Sequence, residues 1–291
     1  VKMRFINFIG VLCVIIGVGL FSYPIVTTNV VKHETTEFIK EYNQEYGIST
    51  NEPINKNAFP AYQEILAYNE RIYQEGQQSF SDVSSYEQIP PDLSDEVNRK
   101  FGYITIPKMD VELPLFIGAD DENLSKGAAI LGQTSIPIGG ANTNSVISAH
   151  RGYMGIPFFR DIEKLDLGDK VKIRNPWETL VYEVSGIDII DPNDRDAVLI
   201  EDGKDMITLI TCHPYRSHGK QRYVVYCTRK NSTKAEKGKD SKEEIKALKT
   251  STFDIQRENS VRVGGLFIIL SALAIVTILK IIRRVRCGKN N

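Results

Sequence analysis

At residues 208–215 the chain reads TLITCHPY, an apolar run of β-favouring residues that ends at the thiol of Cys212. Arg222 follows ten residues after Cys212, and the segment SAHRG at residues 148–152 places His150 well upstream. A thiol at the end of a strand, with an imidazole and a guanidinium available from other strand ends, is the equipment of an enzyme that transfers acyl groups through a cysteine.

From Phe101 onward, short runs of β-favouring residues recur with turn signals between them. Eight short strands at this spacing are typical of a closed barrel or a sandwich. One helix is expected to interrupt them near residues 157–165. The chain is therefore predicted to be mainly β, with runs at residues 103–106, 112–116, 128–131, 145–149, 170–174, 180–191, 206–211 and 222–228.

Two long apolar runs, at residues 5–26 and 263–282, flank this β-rich part. A helix needs about 20 apolar residues to cross roughly 30 Å of hydrocarbon, so each run is long enough to span a membrane. Lys2 and Arg4 precede the first run, and five basic residues between positions 280 and 289 end the second. By the positive-inside rule, both termini are predicted to be cytoplasmic and the β-rich part to lie outside the membrane.

Each apolar run has an alternative interpretation. The first can be a cleaved signal peptide, but the sequence YPIV at residues 23–26 lacks the small-x-small pattern of a cleavage site, which favours a retained anchor. The second can be a buried core helix, but it is apolar on all sides and ends in basic residues, which favours a membrane span. The predicted location is the cell membrane.

Composition and spacing divide the rest of the chain into a helical part, a loop and a charged stalk. Residues 30–75 have helical spacing, with a second helix after Pro60, and residues 76–99 are rich in Ser, Gln, Asp and Pro, as in a loop. Lys, Glu, Ser and Thr dominate residues 230–258, so a solvated stalk or exposed helix that buries no core is expected there. The predicted domains are an N-terminal anchor at 1–29, a helical extension and loop at 30–99, a β domain at 100–230, a charged stalk at 231–260, a transmembrane helix at 261–283 and a basic cytoplasmic tail at 284–291.

Charge and cysteine usage exclude several classes of protein. The formal net charge is -1 with 42% hydrophobic residues, so no nucleic-acid partner is implied. The sequence has neither a His, Cys and carboxylate cluster with metal-ligand spacing nor a phosphate loop, and no metal or cofactor is expected. Cys13 and Cys287 lie in or beside the membrane runs, which leaves only Cys212 and Cys227 in the exposed part, so a disulfide framework is not predicted. Cys227 is interpreted as a small apolar strand residue.

The imidazole nearest to Cys212 in sequence is His213, but strand geometry argues against it as the partner of the thiol. Adjacent residues of a strand face opposite sides, so His213 is assigned a surface or packing role unless a bulge intervenes. His218 lies in a polar loop and is a weaker competitor, and His33 belongs beside the membrane. His150, at the end of its own strand, is the predicted partner of Cys212.

The TLITC string, with Arg222 after it and His150 before it, resembles the signature of the sortases. The segment TSIPIGGANT at residues 134–143, followed by VISAHRG at residues 146–152, resembles more closely the class C, pilin-polymerising sortases of Gram-positive bacteria. This resemblance covers roughly residues 100–230.

The resemblance implies an eight-stranded sortase barrel in which Cys212 attacks the carbonyl of an LPXTG-like sorting motif in a pilin. A lysine of the next pilin would then resolve the thioacyl enzyme. A thiolate is the active nucleophile and needs a nearby cation, which His150 and Arg222 can each supply. His150 would act as general acid and then base, while Arg222 would orient the substrate and stabilise the oxyanion. Arg216 is the alternative guanidinium, but Arg222 opens the next strand as in the family.

Three departures from the class C pattern are visible. His213 stands where Thr commonly follows the nucleophile, and the loop from Cys212 to Arg222 is one residue longer. Many class C enzymes also carry an Asp-Pro-aromatic lid, which residues 76–99 do not contain. We therefore expect either no anchored lid or one that uses Phe80 or Tyr86.

Two other functions remain open on sequence alone. A housekeeping sortase would join surface proteins to cell-wall peptide instead of polymerising pilins. A non-catalytic pilus-assembly module on a stalk would need Cys212 only as a buried strand residue. A papain-type hydrolase fits less well, because its Cys precedes its His in the chain, whereas here His150 precedes Cys212.

Overall fold

Eight strands close into a barrel in the computed structural model, which describes residues 2–46, 56–77, 100–217, 219–229 and 242–288. The strand order around the barrel is β1-β2-β3-β4-β7-β8-β6-β5. The pairs β2–β3 and β4–β7 are parallel and the other pairs are antiparallel. The strands are β1 (Gly102–Ile106), β2 (Val111–Ile117), β3 (Ala128–Ile130), β4 (Thr143–Ser148), β5 (Lys170–Arg174), β6 (Thr179–Ile190), β7 (Asp205–His213) and β8 (Gln221–Arg229).

The prediction of eight strands and of a barrel is confirmed. β7 is longer than expected, because it continues two residues beyond Thr211 and so includes Cys212 and His213. Its run of apolar residues is continuous because both of its faces are covered: Ile207 and Leu209 belong to the main core, and Ile210 belongs to a second apolar cluster on the opposite face.

A single N-terminal helix, α1 (Lys2–Glu45), contains the first apolar run and continues beyond it. Part of it, Val14–Glu45, is long and apolar enough to cross a membrane, and within the described residues it is the one such helix. The helical spacing expected after residue 30 continues α1 without a break, and near its end the Tyr42 hydroxyl donates to the carbonyl of Phe101 at 2.8 Å. This part therefore belongs to the same helix as the apolar run and docks it on the barrel.

The second expected helix is α2 (Pro60–Gln74), which begins at Pro60 as predicted. Ile65, Tyr68 and Ile72, spaced three and four residues apart, are buried in the main core. Asn69, on the same face, receives a bond from the N–H of Ile136 at 2.8 Å and donates to its carbonyl at 2.9 Å. Apolar packing and this paired hydrogen bond hold α2 against the loop before β4.

The prediction of a helix at residues 157–165 is wrong. Only one 3₁₀ turn, Ile162–Lys164, forms there. Phe158 has a φ of 41°, in the left-handed region, and an α-helix of L-residues does not continue through such a residue. A short helix that was not predicted, α3 (Asp121–Lys126), follows β2. Its sequence signal was available, since the Asp120 carboxylate caps it by accepting from the N–H of Asn123 at 2.7 Å.

The segment predicted as a solvated stalk packs partly on the barrel. Helices α4 (Lys242–Leu248) and α5 (Thr252–Gly288) occupy its second half, while residues 230–241 lie outside the described part. Ile245 is 3% exposed and joins the main core, and Leu248 packs beside it. The average composition concealed this apolar face, whose members are three residues apart. α5 runs through the second apolar run, and its crossing of a membrane stays a prediction.

Candidate active site

Strand register brings the three predicted site residues together. β4 and β7 run parallel, with Ser148 beside Ile210, so two residues further along each chain His150 is level with Cys212. Across β7 and β8, Cys212 is paired directly with Arg222. Residues opposite each other in neighbouring strands project to the same face of a sheet. The three side chains therefore form one line across three strands, called here the His150–Cys212–Arg222 row.

His150 is held beyond the end of β4 by backbone contacts. The Ala149 N–H donates to the Ile210 carbonyl at 3.4 Å, and the Thr211 hydroxyl donates to the Ala149 carbonyl at 2.7 Å. The carbonyl of His150 itself accepts from the N–H of Phe159 at 3.0 Å. These bonds continue the alignment of β4 with β7 past the last ladder pair, so the position of His150 depends on β7 and on the loop after it.

The His150 ring is enclosed by aromatic side chains. It stacks on Tyr153, with ring centroids 4.7 Å apart and planes inclined by 16°, and the edge of Phe158 lies 6.3 Å away. Burial lowers the pKa of His150, and the carboxylate of Asp121 opposes that shift. At neutral pH the ring is consequently mostly uncharged until a neighbouring negative charge, such as a thiolate, favours its imidazolium form.

Arg222 is half-buried and turned toward the thiol. Its Nη1 donates to the carbonyl of Gly219 at 2.8 Å and lies 4.0 Å from Sγ of Cys212. Cys212 is partly exposed, so its thiol is accessible. Arg216, the alternative guanidinium, is directed instead toward α5, where its Nη2 lies 3.0 Å from the Glu258 carboxylate. A guanidinium held by its own hydrogen bond thus lies beside a thiol that solvent can reach.

An apolar floor leads along the same face to the row. Val146 of β4, Ile210 of β7 and Val224 of β8 are buried in the second apolar cluster, together with Val198 from the loop before β7. Ile210 and Val224 are direct partners two positions before the Cys212–Arg222 pair. Ile210, Val224 and Val198 are at most 1% exposed, so this floor lies beneath the surface and supports the sheet under the row.

The remaining histidines, the second exposed-domain cysteine and the lid candidates lie outside the row or outside the described residues. His213 is buried on the face of β7 opposite to Cys212, which confirms the packing role deduced from strand parity. Cys227 is fully buried, and burial raises the pKa of its thiol well above the usual range. His218 and the lid candidates Phe80 and Tyr86 lie outside the described residues.

Sequence reasoning missed a buried ion pair behind the row. Arg151 and Glu163 have side chains only 2% exposed and contact each other directly. A signal was present, because Arg151 follows His150 and so falls on the core side of the chain, where a charge needs a partner. Among the residues with described positions, no group of three or more His, Cys, Asp or Glu side chains is close enough to hold a metal ion.

The family model described as "Sortase domain" matches residues 104–230. Sortase A of Bacillus anthracis is 31% identical over 167 residues, which are 55% of this chain and 76% of that protein. The chain belongs to the sortase family, whose members are cysteine transpeptidases.

Among solved structures, Clostridium perfringens sortase C with the C-terminal cell wall sorting motif is similar at 31% identity and a TM-score of 0.56, covering 67% of this chain and 98% of that one. Streptococcus pneumoniae sortase C, whose structure bears on pilin substrate specificity, is 29% identical with a TM-score of 0.52, covering 66% of this chain and 96% of that one. The resemblance to class C sortases is thereby confirmed.

Proposed function

We propose that this chain is a membrane-anchored transpeptidase that builds covalent pili. The Cys212 thiol gives its proton to His150 and attacks the threonyl carbonyl of an LPXTG-like sorting motif, and the C–N bond then breaks as the His150 imidazolium passes that proton to the leaving amine. A pilin lysine, deprotonated by His150, then attacks the thioacyl carbonyl and releases Cys212. Arg222 stabilises the oxyanion formed in each step. Neither step needs a cofactor or a metal.

The observation that carries this proposal is the His150–Cys212–Arg222 row. A nucleophile, an acid–base group and a charged donor stand on one face of three adjacent strands, at the end of an apolar floor. The partners of the proposed reaction are pilin subunits with C-terminal sorting motifs, as for the similar sortase C structures. The proposed anchor is α1, whose apolar part is long enough to cross a membrane.

The test uses the full chain in detergent micelles, incubated with candidate pilins, and compares it with Cys212→Ala. A Cys212-dependent ladder that contains threonine-to-lysine isopeptides, identified by mass spectrometry, is the expected result. Cys227→Ala is the matched control, since it removes a thiol that burial keeps unreactive, and it should form the same ladder.

A second function is favoured by a specific observation, the similarity to Bacillus anthracis sortase A. In that case the thioacyl enzyme would be resolved by cell-wall amines and no pilin ladder would form. A Cys212 that forms no adduct with any sorting peptide would contradict both functions and favour a binding module.

A further inference from the structure

Two pairs of chain neighbours lie side by side on adjacent strands, and in each pair the two side chains face opposite sides of the sheet. His150 and Arg151 are neighbours in the chain, as are Cys212 and His213, and in each pair one residue joins the row while the other is buried behind it. Behind the row, Nη1 of Arg151 lies 2.8 Å from Nδ1 of His213. The buried contact therefore mirrors the alignment of His150 with Cys212 on the exposed side.

Arg151 also binds the backbone of the nucleophile. Its Nη1 donates to the carbonyl of Cys212 at 3.2 Å, its Nη2 contacts the Glu163 carboxylate, and its guanidinium lies 5.5 Å from the centre of the Tyr223 ring. Because a guanidinium only donates, Nδ1 of His213 must accept. The ring proton of His213 is then on Nε2, which can donate to the Thr250 hydroxyl at 3.2 Å.

Glu163 connects this site to the start of α5. Its carboxylate accepts from the N–H of Ser251 at 3.0 Å and from the hydroxyl of Thr252 at 2.9 Å. Thr252 is the first residue of α5 and Ser251 immediately precedes it. A continuous chain of charged and neutral hydrogen bonds thus runs from the first residues of α5, through Glu163 and Arg151, to the carbonyl of Cys212.

We propose that Arg151 is a positioning residue for Cys212 and that Glu163 holds it in place from the start of α5. The inference rests on the proposed function for the identity of the nucleophile. Fixing the carbonyl of Cys212 fixes the backbone torsion at that residue, and with it the direction of Sγ relative to His150 and Arg222. Arg151 contacts the Cys212 carbonyl, His213 and Glu163 behind the row, so its effect acts through Cys212.

A small displacement of the Cys212 thiol is expected to reduce turnover measurably. A displacement of about 1 Å at a reacting group can reduce turnover about 100-fold. Arg151→Gln removes the ion pair and the fork of donors. Arg151→Lys keeps the charge beside Glu163, but a single ammonium is a point donor and does not reproduce a planar fork that reaches three groups.

The test uses the full chain in micelles with two readouts. The first is the rate of Cys212 alkylation by iodoacetamide, followed by peptide mass spectrometry so that each cysteine is resolved. The second is turnover of a fluorogenic LPXTG peptide, separated into kcat and KM. We expect Arg151→Gln to lower kcat at least tenfold with KM changed less than twofold, and to alter the alkylation rate at least threefold. Arg151→Lys should restore thermal stability but not kcat.

Arg229→Gln is the matched control. Arg229 also forms ion pairs in a partly buried setting, 3.3 Å from Asp205 and 3.6 Å from Glu178, but at the opposite end of β8 from Arg222. It should lower the melting temperature without changing Cys212 alkylation. If Arg151→Gln does not fold, Thr252→Val tests the inference instead. It removes only the hydroxyl bond from Thr252 to Glu163 and should still lower kcat two- to fivefold.

Two results would overturn the inference. One is an Arg151→Gln variant that melts earlier, like Arg229→Gln, yet keeps wild-type kcat and alkylation; the other is a folded Thr252→Val variant with unchanged kcat and alkylation. The alkylation readout needs no sorting peptide. If no peptide is turned over, the proposed function fails, while alkylation still shows whether Arg151 positions the thiol.

Discussion

Cys212 of β7 and Arg222 of β8 are direct cross-strand partners, and Nη1 of Arg222 lies 4.0 Å from Sγ of Cys212. Cross-strand pairing fixes both Cα positions, so the guanidinium reaches the thiol without a change in the backbone. Arg222 is also half-buried and bound to the carbonyl of Gly219 at 2.8 Å, which limits its motion. This pairing and the bond to Gly219 hold the Arg222 guanidinium beside the thiol.

Replacing Arg222 should reduce turnover and leave the fold intact. Loss of one oxyanion donor typically costs about 100-fold or more in kcat. We expect Arg222→Ala to lose at least that factor and Arg222→Lys to recover only part of it, because an ammonium lacks the fork of donors. Arg216→Ala is the control, since Arg216 points toward Glu258. Equal losses for the two variants would contradict the assigned role.

Gly219 is required where the loop passes the thiol. Its φ is 77°, and a Cβ there would lie 2.8 Å from Nη1 of Arg222 and 3.2 Å from Sγ of Cys212. Gly219→Ala should therefore displace the guanidinium and reduce peptide turnover more than tenfold. Gly203→Ala is the matched control, because Gly203 has a φ of 74° and a Cβ added there would meet no other atom within 4 Å.

Both glycine variants carry the same backbone strain, which costs roughly 1 kcal/mol or somewhat more for an L-residue in the left-handed region. Their melting temperatures should fall by similar amounts. Only Gly219→Ala should slow the reaction of Cys212. If Gly203→Ala lost as much activity, general strain and not the contact with Arg222 would be the cause.

The predictable parts of the molecule are those that depend on local pattern. Short runs of β-favouring residues with turn signals between them indicated all eight strands, and strand parity separated Cys212 from His213. The helix expected at residues 157–165 failed because the left-handed backbone of Phe158 depends on tertiary contacts that no local pattern contains. The packing of Ile245 was hidden for a different reason, since the charged residues around it dominate the composition.

The candidate site likewise has residues that the sequence indicates and contacts that only the fold creates. Sequence indicated His150, Cys212 and Arg222, because each lies at a strand end with a matching motif. It could not indicate the link from Glu163 to α5, since Glu163 and Ser251 are 88 positions apart and meet only when the barrel is formed. Long-range pairing of this kind follows from topology, not from spacing.

The charge of His150 should respond to Asp121. Burial lowers the pKa of His150 below its usual value of about 6.5, and the Asp121 carboxylate raises it. Removing that negative charge in Asp121→Asn should lower the pKa further, so a smaller fraction of His150 is protonated at pH 6. The measurement is an NMR titration of histidine side chains in the Cys212→Ala background, where no thiolate interferes.

Glu70→Gln is the control for this titration, because Glu70 is an exposed carboxylate on α2 that does not contribute to the His150 shift. It should leave the His150 midpoint unchanged.

The lowered pKa of His150 also makes the stability of the fold depend on pH. A histidine whose pKa is lower in the folded state binds more protons when unfolded, so its contribution to the free energy of unfolding falls as pH drops below about 6.5. An Asp121→Asn variant with a raised midpoint would contradict the assignment.

Asn69 should be the most sensitive polar position of α2. It exchanges two hydrogen bonds with the backbone of Ile136, at 2.8 and 2.9 Å, in a buried setting. Asn69→Leu leaves the N–H and the carbonyl of Ile136 without partners, which costs about 2–4 kcal/mol for two buried groups. Gln63→Leu, on the exposed side of the same helix, makes a comparable change in chemistry and should cost less than about 0.5 kcal/mol. Thermal melting of both variants measures the difference, and equal melting temperatures would show that α2 is held by its apolar face alone.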